Sequence, residues 1–159
     1  MGTLTDDWLR DDLIYAAAFF DGEGNVTITT TPSGFAVQLC VYNTYEPVVD
    51  WFHQTFGGAK SRGSTPNDER HYRPRYRWGL SSGRDIARFA AAIRPFCRVK
   101  GQQLDIMCEF TKLIGTPGVR LTDEQINARL MLMLQMRQLN SAGPGKPNPA
   151  SVEDVHGQT

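Results

Sequence analysis

The sequence has few cysteines and no long apolar run. Its three cysteines form no CxxC pair and no metal-ligand spacing, which argues against a disulfide framework and a zinc site. An odd cysteine count suits a reducing compartment, where a buried thiol acts as a small hydrophobic group. No stretch approaches the roughly 18 apolar residues of a membrane span. Residues 1–12 carry four acids and one Arg, unlike a signal or transit peptide. We therefore expect an intracellular protein without a membrane partner.

Basic residues are almost absent from the first part of the chain. Residues 1–59 contain one, Arg10, against eight acidic residues, whereas residues 60–100 contain eleven against three, although the net charge is zero. A basic block inside a neutral protein is the footprint expected of a phosphate-binding surface. On the charge pattern alone, an Arg-rich solvated surface without a ligand is an equal alternative.

Length and composition indicate one globular domain. The chain has 159 residues, 40% of them hydrophobic, which is enough for one domain with a real core but short for two. We assign this domain to residues 1–140. Residues 141–159 are rich in Gly, Pro, Asn and Ser, which predicts a disordered tail.

The spacing of apolar residues predicts helices and strands in the order α-β-β-α-β-β-α-α-α. Several strands alternate apolar and polar side chains, which indicates a one-sided antiparallel sheet with helices behind it, an α+β fold. Ser82 and the Thr122–Gln125 capping box mark helix starts. The predicted elements are Leu13–Phe20, Asn25–Thr31, Phe35–Tyr42, Tyr45–Phe56, Ala59–Ser64, His71–Leu80, Gly83–Ile93, Val99–Ile114 and Thr122–Asn140.

Two carboxylates follow the first predicted helix. Asp21 and Glu23 stand one residue apart across Gly22, at a helix C-terminus where the helix dipole favours cations. A hard divalent cation bound by carboxylate and backbone oxygens would stabilise them. A polar turn without a ligand is the simpler interpretation, because Asp-Gly and Glu-Gly are common turn dipeptides, and the spacing alone favours it.

The segment Ala16–Gly24, AAAFFDGEG, resembles the motif of the LAGLIDADG homing endonucleases. The pattern that follows is also similar, with a hairpin, a helix closing at Phe56–Gly58, a second hairpin and then Ile93–Phe96 and Lys100. The resemblance covers roughly residues 8–115, in the family's order. It implies an αββαββα half-domain with a saddle-shaped sheet and extra C-terminal helices. One motif copy in so short a chain implies a homodimer.

The resemblance also implies roles for individual residues. Glu23 matches the metal-binding acid, and Gly22 matches the residue whose carbonyl joins it. Asp21 matches a mainly structural carboxylate at the helix end. Lys100 matches the basic active-site residue, and Asn43 matches the polar residue that orients water. The implied cofactor is Mg²⁺, for which Mn²⁺ can substitute, without an organic cofactor. Ala18 departs from the family's Gly, and the implied dimer contacts lie at Ala16, Ala17 and Phe20.

The polar face of the predicted sheet is suited to double-stranded DNA. A two-stranded ribbon fits the major groove, where each base pair shows a distinct pattern of donors and acceptors. Arginine suits guanine, glutamine suits adenine, and threonine can meet the thymine methyl group. The candidate DNA-binding residues are Asn25, Thr27, Thr29, Thr31, Gln38, Lys60, Arg62, Arg73, Arg75 and Arg77.

The resemblance therefore implies a site-specific, metal-dependent DNA endonuclease that cuts a long pseudo-palindromic site, and the charge pattern and the polar sheet face agree with it. Two alternatives remain open. One is a non-cutting protein of the same fold, either an RNA maturase or a DNA-binding regulator. The other is a metal- or ligand-binding structural domain, which the arginine-rich strand disfavours. For Lys100, the alternative to a catalytic role is a surface lysine at a helix start. The implied setting is a bacterial or phage-infected cytoplasm, or an organelle matrix.

Overall fold

Five α-helices and four strands make up the described part of the chain. The computed structural model describes residues 8–63, 74–115 and 119–142. The predicted element order is confirmed. The elements are α1 Arg10–Glu23, β1 Gly24–Thr31, β2 Gly34–Asn43, α2 Glu46–Phe56, β3 Ala59–Arg62, β4 Tyr76–Leu80, α3 Gly83–Ile93, a 3-10 turn Arg94–Phe96, α4 Gly101–Lys112 and α5 Asp123–Ala142.

The four strands form one antiparallel sheet in the order β1-β2-β4-β3. Residues directly paired across antiparallel strands point to the same face. Val26 pairs with Leu39 and Val41 with Trp78, and all four are buried. On the opposite face Thr27 pairs with Gln38 and Tyr42 with Arg77. We call this second side the open face, because the helices pack on the first.

The core lies between the sheet and the helices. It centres on aromatic rings of α2, β4 and α3, with Phe52 and Phe89 centred 4.9 and 5.1 Å from Trp78. The Trp78 indole N–H donates to the Gly57 carbonyl at 2.7 Å, so its one polar group is satisfied. Of the cysteines, Cys40 and Cys97 are buried and Cys108 is half-buried, and all three are free thiols. No helix within the described ranges is long and apolar enough to cross a bilayer.

The last helix covers the outer edge of the sheet. α5 packs along β1, and the Asn140 side-chain amide donates to the Val26 carbonyl at 2.8 Å. The predicted capping box is present at its start, where Thr122 Oγ1 accepts from Gln125 N and Gln125 Oε1 accepts from Thr122 N. The helix ends at Ala142, two residues beyond the predicted domain limit, and residues 143–159 of the predicted tail lie outside the described part.

Candidate active site and nucleic-acid interface

The acidic segment is helical and leads directly into the sheet. The first helix was predicted to end at Phe20, yet α1 continues through Gly22 to Glu23, and β1 begins at the next residue. Gly24 is required there by close approach, because a Cβ on it would lie 2.5 Å from both the ring and the carbonyl oxygen of Phe20. The fold therefore places Glu23 where the helix meets the first strand.

Asp21 is a structural carboxylate. Its oxygens accept three backbone N–H groups from the segment that leads into α4: Arg98 at 2.7 Å, Lys100 at 2.9 Å and Val99 at 3.2 Å. Burial alone would raise the Asp21 pKa, but these hydrogen bonds outweigh it and lower the pKa. The carboxylate that is unfavourable at the C-terminus of α1 is thus stabilised by amides at the start of another helix.

Lys100 makes the reciprocal contact. Its ammonium donates to the carbonyls of Asp21 at 2.7 Å and Phe20 at 3.1 Å, and so caps the C-terminal end of α1. Burial lowers the Lys100 pKa, although the negative charges of Asp21 and Glu23 act in the opposite direction. Lys100 is therefore no plain surface lysine. It is a half-buried positive charge held beside the acidic segment.

Glu23 is the exposed acid of this site. It lies at the surface, and no salt bridge joins it to another residue of the described ranges. Within those ranges no group of three or more His, Cys, Asp or Glu residues could hold a metal ion. Hard divalent cations prefer oxygen ligands, and one chain offers the Glu23 carboxylate with the neighbouring Gly22 carbonyl. These donors fit such an ion only when a second chain or a nucleic-acid phosphate adds more.

The open face carries most of the predicted DNA-binding residues. Pairing places Asn25, Thr27, Thr29 and Thr31 of β1 on it, with Gln38 of β2 opposite Thr27. Thr29 and Thr31 are exposed, and the others are half-buried. Hydroxyl and amide groups therefore line two neighbouring strands, as base-edge contacts in a groove require.

Two arginines of the open face are held in different ways. The Arg75 guanidinium lies over the Tyr42 ring, 4.6 Å from its centroid. Arg77 lies over Gly79, where a Cβ would come within 2.8 Å of its Nη2 atom. The Arg77 Nε is buried and has no hydrogen-bond partner among the described residues. Such a group is unfavourable until an acceptor pairs with it. Tyr42 was missed in the sequence, although its alternation with the core residue Val41 places it on this face.

Lys60 and Arg62 lie on the opposite side of the sheet, so their predicted place on the open face is wrong. Lys60 pairs with Trp78 and Arg62 with Tyr76, which puts both on the side of the helices. The Lys60 ammonium contacts two carboxylates of α2, Glu46 at 2.6 Å and Asp50. Alternation along β3 shows only that Lys60 and Arg62 share a face. Which face that is depends on the pairing of β3 with β4, and the sequence alone does not define this pairing.

We therefore expect Lys60→Ala to leave DNA retention unchanged. Retention on a duplex column, measured at several salt concentrations, reports the number of phosphate contacts through the slope of log affinity against log salt. The matched variant Arg75→Ala should reduce that slope by about one. An equal fall in slope for Lys60→Ala would show that its ammonium leaves the α2 carboxylates to bind phosphate.

Two other predicted residues have different outcomes. Asn43 pairs with Tyr76 at the end of β2, and its side-chain oxygen accepts the Tyr45 backbone N–H at 2.8 Å. This oxygen is used in the turn before α2, which leaves the Asn43 NH₂ group as the one that could orient water. Arg73 lies outside the described residues.

The predicted dimer contacts lie on the inner face of α1. Ala16, Ala17 and Phe20 are 0% exposed within a single chain, so they have no surface left for a partner, contrary to the expectation. The outer face of α1 instead exposes Ile14, Ala18 and Gly22, spaced by four residues along one side of the helix. A Cβ built on Gly22 meets nothing within 4 Å, so this outer face is open to close approach.

No protein-family model and no curated protein matches the sequence. Solved structures do match. The homing endonuclease I-CvuI, in complex with its target in the presence of Ca, superposes with a TM-score of 0.61 at 16% identity, covering 86% of this chain and 85% of that chain. The archaeal intron-encoded homing endonuclease I-Vdi141I, complexed with DNA, gives a TM-score of 0.67 at 12% identity, over 81% and 84% of the two chains.

A longer protein also matches, over half its length. I-SmaMI, bound to an uncleaved DNA target in the presence of calcium ions, gives a TM-score of 0.58 at 14% identity. The match covers 86% of this chain but 50% of that one. At these identities the likeness concerns the fold, which agrees with the resemblance of the segment Ala16–Gly24. The LAGLIDADG homing endonuclease I-GzeII matches in the same way, with a TM-score of 0.55 at 10% identity, over 90% of this chain and 48% of that chain. The chain therefore has the fold of the LAGLIDADG homing endonucleases.

Proposed function

We propose that this protein is a site-specific DNA endonuclease that acts as a homodimer. The observation that carries the proposal is the position of Glu23, an exposed carboxylate where α1 enters a sheet whose open face carries Gln38, Arg75 and Arg77. Site-specific cleavage of duplex DNA needs an acid that can hold a metal ion beside a surface that can read bases. The similar structures I-CvuI and I-Vdi141I were solved with DNA.

The homodimer follows from the number of acids. Among the described residues, one chain supplies a single exposed carboxylate at this site, whereas cutting both strands needs an acid at each scissile phosphate. The outer face of α1, with Ile14, Ala18 and Gly22, is the surface by which two copies would bring their Glu23 residues together. Small side chains allow two helices to approach closely.

The chemistry is divided among three residues. Glu23 and the Gly22 carbonyl would hold a divalent cation of the Mg²⁺ class, for which Mn²⁺ could substitute. When bound, such an ion activates water and neutralises charge on the leaving oxygen. Lys100 is fixed in place by the carbonyls of Phe20 and Asp21 and supplies a preorganised positive charge beside the reacting phosphate.

A cleavage selection tests the proposal. Wild-type protein is incubated with Mg²⁺ and a randomised library of pseudo-palindromic duplexes, and the cut molecules are sequenced. We expect enrichment of one two-fold symmetric site, no cutting when EDTA removes the metal, and restored cutting with Mn²⁺. Retention of one sequence without any cutting would show a DNA-binding protein and contradict the enzymatic part of the proposal.

A further inference from the structure

Tyr42 and Arg75 form a pair at the end of the sheet that carries the acid. Tyr42 follows Val41, and Val41 pairs with Gly24, the residue directly after Glu23. Tyr42 itself points to the open face, because it is paired with Arg77 and alternates with buried Val41. The Tyr42 ring therefore lies on the open face. Along β2, Tyr42 stands one residue beyond Val41, the partner of Gly24.

Arg75 is held there at two points. Its carbonyl accepts the Gly63 backbone N–H at 2.7 Å, which continues the pairing of β3 with β4 by one residue. Its guanidinium lies over the Tyr42 ring at 4.6 Å. A guanidinium over an aromatic face is attracted by the ring's quadrupole, and its N–H groups, which lie in its own plane, remain available to an anion.

This pose differs from that of the neighbouring arginine. Arg77 is half-buried and lies flat over Gly79, against the surface of the sheet. Arg75 is exposed, and its guanidinium lies over the Tyr42 ring instead of over the backbone of its own strand. The exposed Arg75 guanidinium is thus held on Tyr42, at the end of the sheet where α1 leads into β1 and where the cut strand would lie, whereas the Arg77 guanidinium lies on the sheet itself.

We propose that Arg75 binds a phosphate of the DNA strand at the cleavage site and that Tyr42 is the positioning residue that holds it there. The inference rests on the proposed endonuclease function and adds a phosphate-binding arginine to the metal-binding Glu23 and the positive charge of Lys100. Arginine is suited to this task because its planar fork can donate two parallel hydrogen bonds to phosphate.

Four variants test this proposal on the duplex that the wild type enriches from the library. Single-turnover cleavage of bound duplex separates the chemical step from binding. We expect Arg75→Gln to slow cleavage about 10- to 100-fold and Tyr42→Leu to slow it about tenfold. Loss of one phosphate contact also weakens binding, but in both variants the dissociation constant should rise by a smaller factor than the cleavage rate falls. Tyr42→Phe keeps the ring face and should cleave like the wild type.

The double variant Tyr42→Leu/Arg75→Gln shows whether Tyr42 acts through Arg75. If it does, the double variant is no slower than Arg75→Gln alone, whereas independent roles would multiply the two losses. Thermal unfolding of each variant shows whether Tyr42→Leu is misfolded. If it is, Arg75→Gln still tests the proposal, because it changes an exposed side chain.

Three results would overturn the proposal in distinguishable ways. If the wild type cuts its duplex and Arg75→Gln cuts equally fast, Arg75 has no role at the cleaved strand while the endonuclease function stands. If Arg75→Gln changes the preferred base pair and cleaves the new duplex at the wild-type rate, Arg75 reads a base. If the wild type cuts no DNA, the proposed function fails together with the role of Arg75.

Discussion

Replacing Glu23 by Gln is expected to abolish DNA cleavage while leaving duplex binding intact. Gln keeps the size and shape of the side chain but removes the charge that would hold a divalent cation. Loss of metal-assisted catalysis corresponds to several kcal/mol of transition-state stabilisation, which is on the order of a thousandfold in rate. Glu23 is exposed and forms no salt bridge with another described residue, so the fold should not change.

A matched variant is Glu124→Gln. Glu124 is an exposed acid in the first turn of α5, on a helix that is not part of the proposed site or of the proposed dimer contact. The variant makes the same Glu→Gln change and removes one negative charge, and it should cleave at the wild-type rate. Single-turnover cleavage and equilibrium binding of the selected duplex are measured for both variants. A Glu23→Gln protein that cuts at more than about a tenth of the wild-type rate would exclude Glu23 as the metal-binding acid.

The second large effect concerns stability, at Asp21. Asp21→Ala would leave three backbone N–H groups of Arg98, Val99 and Lys100 without their acceptor. Hydrogen bonds to a charged group contribute about 1.5–3 kcal/mol each, with incomplete additivity and some replacement by water. We therefore expect Asp21→Ala to lower the free energy of unfolding by about 2–4 kcal/mol, and Asp21→Asn, which keeps one acceptor, by about half as much.

The Asp21 contribution depends on pH in a definite direction. Its pKa is lower in the folded protein than the ordinary value of 3.8, so the folded state binds the proton less readily than the unfolded state. The stabilisation is therefore complete well above 3.8 and is lost as the pH falls from that value through the lower folded-state pKa.

Urea unfolding of wild type and Asp21→Asn measures this dependence. The difference in free energy of unfolding should be constant from pH 7 to about 5 and should shrink below about pH 4. A difference that grows as the pH falls, or an Asp21→Ala protein as stable as wild type, would contradict the assigned role. His53, which is exposed on α2, offers a control, because His53→Gln should not change the acid dependence below pH 4.

Much of the fold could be predicted from local pattern alone. Alternation of apolar and polar residues gave the strands of the first hairpin, and the capping signals at Ser82 and Thr122 are used as expected. These features are local, since each depends on side chains a few residues apart. The predicted end of α1 was wrong because it does not depend on local residues alone. The Lys100 ammonium caps the end of the helix from 79 residues away in the sequence, and Gly24 allows the chain to turn there into β1.

The candidate site was predictable only in part, because the sequence of a single strand does not define which strands pair or which face is buried. Glu23 and Lys100 could be named from the resemblance, but that both Asp21 and Lys100 join α1 to α4 required the tertiary structure. Lys60 was misplaced since β3 is only four residues long and its register is fixed by β4. Ala16 and Ala17 were misplaced because small size indicates close packing without saying which neighbour is close.

The covered edge of β1 affects how this protein can associate with itself. An uncovered edge strand is a template on which another chain can add a strand, and the product is an open-ended stack. Here α5 lies along that edge, and Asn140 takes the Val26 carbonyl. A fifth strand therefore cannot join at β1 without displacing the last helix. The proposed association through α1 would instead give a closed pair, because the same helix face of each copy is used once and no further copy can add to it.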